Sequence, residues 1–199
     1  LIDFGTLLGA SSQRAHQPSE GHEFAFDQVQ MAKGLVTLGL LGKPWDNAVS
    51  MDDPRVGFFE AETFRPEKWK ETYRNPAFLE TTTLDAYWGA KLVMAFTPEE
   101  IRDIVAAGGY STPAVAEYLA DVLIARREKV GRYWYTKVAP LDKFSIEPSG
   151  AVRFEDLGVT SGLRAHAPLW CAYAEVATVV FLLINLVVGD AFKHATLAH

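Results

Sequence analysis

The 199-residue chain carries one cysteine, Cys171, so an intramolecular disulfide and a cysteine-built zinc site are both excluded. It has no phosphate-cradling glycine motif, no paired-histidine zinc motif and no Ser-His-Asp arrangement. Basic charge is in short supply too, and the formal net charge of -6 argues against a nucleic-acid backbone as the main partner. Internal repeats and low-complexity tracts are lacking. No basic region followed by an apolar core and a cleavage site is visible, so no signal peptide is read here. The chain opens on Leu1, inside what reads as a strand, which predicts a fragment or a domain cut from a longer polypeptide.

What is present has ordinary globular proportions: 49% apolar and 22% charged residues, enough for a domain with a hydrophobic core. The stretch that organises the rest is Leu1-Ile2-Asp3-Phe4-Gly5, followed by Gly- and Ser-rich residues as far as Ser12. Apolar residues running into Asp-Phe-Gly read as a buried strand that delivers one carboxylate to its end and then turns sharply. Protein kinases use such a segment to place an aspartate on the magnesium ion that bridges the nucleotide phosphates.

Downstream, residues 11–26 are polar and turn-rich. They are read as a solvated loop in preference to a metal site built from His16, His22 and Glu23, because no periodicity gathers those three on one face. Residues 28–41 predict a helix with an apolar core-facing stripe, ended by Gly42-Lys43-Pro44. Residues 44–80, proline-punctuated and rich in aromatic rings, predict a long loop pinned to the domain by those rings.

Three further helices follow. The first runs over 84–96, capped from Thr81, Thr82 or Thr83. The second is started by Thr97-Pro98-Glu99-Glu100, turns Ile101, Ile104 and Val105 inward, and stops at Gly108-Gly109. The third begins at Pro113 and holds helical spacing through Leu119, Val122, Arg126, Val130 and Tyr133 to about Val138. Its cations Arg126, Arg127, Lys129 and Arg132 are read as a solvated face. Ser145–Phe154 predicts a short hairpin turning at Pro148-Ser149-Gly150, and Asp156 a loop-capping acid. The apolar run 172–188 contains or adjoins Glu175 and Asn185 and is short for a span, so a buried element is preferred to a membrane anchor.

Beyond the tripeptide, several segments resemble a group of uncharacterised bacterial proteins of acidobacterial type. They are Leu1 to Ser12, Asn75-Pro76-Ala77-Phe78, Asp85-Ala86-Tyr87-Trp88-Gly89-Ala90-Lys91, Phe96-Thr97-Pro98-Glu99-Glu100-Ile101, residues 126–133 and Pro140-Leu141-Asp142-Lys143-Phe144. The resemblance covers most of residues 1–157. It implies a kinase-like protein in which a lysine-bearing strand and an Asn/Asp-rich catalytic segment lie upstream of Asp-Phe-Gly, and which often begins with an export signal. Carried over to this chain, it implies Asp3 as metal ligand, with Phe4 and Gly5 shaping the turn beside the nucleotide. The loop after it would take the place of an activation segment, with Ser11, Ser12 and Arg14 near phosphates.

The expectation is therefore a mainly α chain with minor β: residues 1–158 as the helix-rich C-terminal lobe of a kinase-like fold, incomplete at its N-terminus, and 159–199 as an apolar tail. The implied function is an ATP-dependent phosphotransferase using magnesium, with Asp3, Phe4 and Gly5 at the site and no activity expected from this piece alone. The alternative is a non-catalytic, helix-rich interaction or cell-envelope domain, membrane-associated through residues 172–189.

Overall fold

A computed structural model describes residues 8–9, 14–51, 53, 56–110 and 112–164. Nearly all of them lie in one unit, Leu1–Leu163. The described residues are mostly helical, the one-turn α2 (Pro76–Leu79) included, with one small two-stranded antiparallel sheet.

The long helix α5 (Pro113–Trp134) is the axis of this unit, and it packs against both α3 (Thr83–Met94) and α4 (Pro98–Ala107). Proline at its first turn suits the start, since the missing N–H has no helical partner there anyway. Val115, Leu119 and Val122 recur at helical spacing and are buried with Val105 of α4 and with Val56 and Phe59 of the preceding loop. Leu119 is only 1% exposed, and burying such a side chain stabilises the fold by about 1.5–3 kcal/mol. A second cluster joins Ala90 and Met94 of α3 to Tyr135, just past the end of α5.

Helix starts follow the sequence closely. Thr82 and Thr97 each accept from the backbone N–H three residues on, and Asp85 and Glu100 reach back to the cap N–H, closing a capping box at both helices. Asp156 accepts from the backbone N–H of Gly158 and Val159 at 2.9 and 3.3 Å, capping the one-turn α6 (Leu157–Thr160). The hairpin is longer than expected: β1 (Leu141–Ile146) pairs with β2 (Val152–Asp156). Its register slips between Asp142 and Ser145, where Lys143 takes a left-handed φ of 52°, the mark of a β-bulge.

Five expectations are corrected. Helix α1 (Gln28–Val36) stops well short of Leu41, because Leu38 and Gly39 turn left-handed and the Gly39 N–H bonds to the Gly34 carbonyl. Its apolar stripe is not core: none of its residues is buried, and Leu35, Val36, Leu38 and Leu40 are between 79% and 85% exposed. Ile104 likewise stays 57% exposed while Val105 is buried. Of the α5 cations Arg132 keeps the solvated place expected, but Arg127 is buried and Arg126 and Lys129 are partly buried, because the loop and α3 cover them. The helix itself ends at Trp134, before Val138.

Candidate functional site

Asp3, Phe4 and Gly5 lie outside the described residues, as does the apolar run 172–188. The described residues next after Asp3 in the sequence are Leu8 and Gly9, both left-handed, with φ of 54° and 84°. For leucine that conformation costs on the order of 1–2 kcal/mol, so surrounding contacts must hold it. They are visible. Leu8 packs on the core cluster, the Gly9 carbonyl accepts from His16 N–H at 2.8 Å, and the His16 carbonyl accepts from Phe58 N–H at 3.3 Å. A Cβ on Gly57 would fall 1.6 Å from the Gly9 carbonyl oxygen. Only two glycines allow the backbones to meet this closely.

The loop they clamp has no strand partner for its carbonyls, and α5 side chains supply the donors instead. Tyr118 OH donates to the Phe59 carbonyl at 2.6 Å, and Arg126 Nε to the Glu60 carbonyl at 2.6 Å. Lys129 Nζ donates to the carbonyls of Ala61, Glu62 and Phe64, the latter two at 2.8 and 3.3 Å. Positions 118, 126 and 129 share one helical face, so one side of α5 collects nearly the whole turn. Ser50 adds a fourth tie, accepting from Phe59 N–H at 3.0 Å.

Between this loop and the 14–26 segment lies a cavity of about 180 Å³, walled by Leu8, Gly9, His16, His22, Glu60 and Arg126 among others. Arg126 occupies an aromatic box: its guanidinium carbon sits 4.2 Å from the Phe59 ring centroid, 4.8 Å from Phe64 and 5.5 Å from Trp69. Burial pulls its pKa down to about 10, opposed by the charge of Glu60, so the cation persists at neutral pH. A cation over three rings is held by their negative faces. The box that would suit a cationic ligand is thus filled by the chain's own arginine.

Glu60 is buried at 4% exposure and is fully engaged locally. Its two carboxylate oxygens accept from Thr63 Oγ1 at 2.6 Å and from Thr63 N–H at 2.9 Å. Thr63 Oγ1 also lies 3.2 Å from His22 Nε2. Because the hydroxyl proton goes to Glu60, the imidazole must donate through Nε2, which fixes its tautomer. Burial lowers the pKa of His22, with Glu60 pulling the other way, so the ring is held neutral. It stacks on Trp45 at 4.6 Å and 7°. Lys43 pairs with Glu23 beside it. Gly21 adjoins, with φ of 89° and the Trp69 ring where a Cβ would stand. Residues 18–24 are therefore packed, which corrects the reading of that part as a solvated loop, while Arg14 and Phe26 stay exposed as such a loop would leave them.

The chemistry on offer is a Glu60–Thr63–His22 hydrogen-bond chain next to a desolvated guanidinium. Its i, i+3 carboxylate–threonine geometry is that of a turn cap, and positioning is what it does. No cluster of three or more His, Cys, Asp or Glu that fits a metal ion occurs among the described residues, so His16, His22 and Glu23 do not form one. Sequence reasoning passed over Glu60 altogether; its only signal was a place inside Phe58-Phe59-Glu60, between aromatic anchors. Arg126 was legible only as a member of the helical row of Leu119 and Val122; its burial was not, since the α5 cations read as a solvated face.

No protein-family model, curated protein or solved structure matches this chain.

Proposed function

We propose that residues 1–158 belong to the helix-rich C-terminal lobe of a kinase-like, ATP-dependent phosphotransferase, with Asp3 as a magnesium ligand and Phe4 and Gly5 shaping the turn beside it. The observation that carries the reading is the apolar Leu-Ile-Asp-Phe-Gly sequence, followed three residues later by a left-handed turn at Leu8-Gly9 that is clamped against Gly57 of the loop beside the helical core. The resemblance to kinase-like acidobacterial proteins supports it. Phosphoryl transfer depends on positioning and electrostatics more than on covalent help from the protein. A carboxylate used that way needs a fixed anchor, and Leu8 is five residues from Asp3, a span of about 18 Å at most. When bound, magnesium supplies charge neutralisation at the phosphates. The described residues contribute the anchor, and a piece holding one of the site's ligands is not expected to turn over alone. The test is whether ATP binding by the full-length protein requires both magnesium and Asp3.

A second reading, a non-catalytic helix-rich interaction or envelope domain, is favoured by α1, whose apolar side chains stand uncovered among the described residues. Among those residues no helix is long and apolar enough to cross a membrane. Membrane association would then rest on residues 172–189. It predicts partitioning into detergent that is lost when those residues are deleted, and a chain that remains in the aqueous phase either way contradicts it.

A further inference from the structure

We propose that α1 and the turn after it dock in the surface of a membrane that carries anionic phospholipids. The helix is laid inside out. Of its nine residues only Gln30 is partly buried, while Val29, Met31, Ala32, Leu35 and Val36 fall on one side and are all exposed. The turn extends this surface: Leu38, Leu40 and Leu41 are exposed, and a Cβ on Gly34, Gly39 or Gly42 would meet open space. A contiguous apolar surface of this kind marks an interaction site. Nine helical residues are too few to span a bilayer, so the element lies in the interface plane.

Two observations select lipid as the occupant. The first is the backbone. Thr37, Leu38, Gly39 and Leu40 donate their N–H groups within the segment, to the carbonyls of Lys33, Leu35, Gly34 and Thr37. Thr37 is the one polar residue among the leucines, valine and glycines of 34–42, and its hydroxyl donates to the Lys33 carbonyl at 2.8 Å. A turn that enters an apolar phase must satisfy its donors internally, and these are satisfied.

The second is charge. Residues 28–42 hold one charged side chain, the exposed Lys33, and no acid, in a chain of net charge -6. The flanking acids Glu23 and Asp27 are paired with Lys43 and Lys70. At the start of α1, Phe26 and Gln28 line a concave surface with the exposed Tyr73 and Arg74, and no acid is among its described lining residues. Leucines edged by aromatic rings and cations match an element seated at the headgroup layer of an anionic leaflet. A second copy suits the surface less well, because self-pairing offers Lys33 and Arg74 no acid to meet. The proposal does not rest on the kinase-like reading, and it names a segment other than residues 172–189, on which the envelope reading depends.

The experiment is flotation of the intact chain with vesicles of phosphatidylcholine alone and of equal parts phosphatidylcholine and phosphatidylglycerol. The proposal predicts binding to the anionic vesicles that is at least about fivefold weaker without phosphatidylglycerol, the factor that one cation near such a surface supplies. Lys33→Glu should weaken anionic binding by at least the same factor. Leu38→Glu combined with Leu40→Glu should weaken it at least about tenfold, and Ile104→Glu, an exposed apolar position on α4, should leave it unchanged. Circular dichroism checks that each variant folds, as substitutions at exposed positions do. Failure of the intact chain to float with anionic vesicles overturns the proposal, as does equal binding to the two vesicle types. Binding that survives the double leucine variant overturns it too and assigns the membrane contact to another segment. Should the chain not float while the double leucine variant lowers its self-association, the surface is a contact between copies and the proposal fails.

Discussion

Gly9 and Gly57 meet backbone to backbone, so closely that a Cβ on Gly57 would stand 1.6 Å from the Gly9 carbonyl oxygen and one on Gly9 would stand 2.8 Å from that of Gly57. This contact ties the turn that follows Leu-Ile-Asp-Phe-Gly to the loop whose carbonyls α5 collects. Backbone atoms cannot rotate aside as a long side chain does. Gly57→Ala is therefore expected to destabilise the unit by about 2–4 kcal/mol, through overpacking against backbone. Urea denaturation checks the loss, and amide exchange at Phe58, whose N–H bonds to His16, should speed up more than exchange within α4.

Arg126 is the residue the loop leans on from the other side. Arg126→Met keeps an apolar stem but leaves the Glu60 carbonyl without its donor and removes the cation from Phe59, Phe64 and Trp69. A loss of about 2–3 kcal/mol is expected. Arg126→Lys should recover only part of it, since a point charge does not reproduce a planar, stacked donor. Chemical denaturation of the three proteins orders them as arginine, lysine, methionine.

His22 makes stability pH-dependent. Its folded pKa lies below the ordinary histidine value of 6.5, so between the two the unfolded chain binds the proton and the folded chain does not. Stability is then complete above about pH 6.5 and falls as the pH drops through the folded value. Protonation would put charge beside Arg126 in a desolvated setting. His22→Phe keeps a ring against Trp45 and removes the titration. Thermal unfolding between pH 7.5 and 5.5 should show a shallower decline for His22→Phe than for the unaltered chain.

The exposed α1 stripe is expected to matter for association and little for folding. Leu35→Glu and Leu38→Glu should change stability by no more than about 0.5 kcal/mol, as surface substitutions do. Sedimentation at increasing concentration should show less self-association for the double variant. A large loss of stability would mean that the stripe is covered in solution.

Local chemistry made much of this fold legible. Thr97-Pro98-Glu99-Glu100 carries its own capping box, Pro148-Ser149-Gly150 its own turn, and Asp156 its own cap; each depends on atoms within a few residues. What escaped is long-range. Nothing near Phe59, Glu60 or Ala61 in the chain announces that Tyr118, Arg126 and Lys129 will supply their donors. An apolar stripe such as that of α1 says that a face is hydrophobic, not that something covers it. The candidate site divides the same way: spacing reveals the helical row in which Arg126 stands, whereas the burial of its head, and of Glu60 and His22, depends on loops meeting α5 and each other.

The most direct measurement is a calorimetric titration of magnesium and ATP into the full-length protein and its Asp3→Ala variant, with folding checked by circular dichroism. The account predicts magnesium-dependent ATP binding in the former and a loss of at least about tenfold, some 1.4 kcal/mol, in the latter. Equal affinity in the two proteins would contradict it.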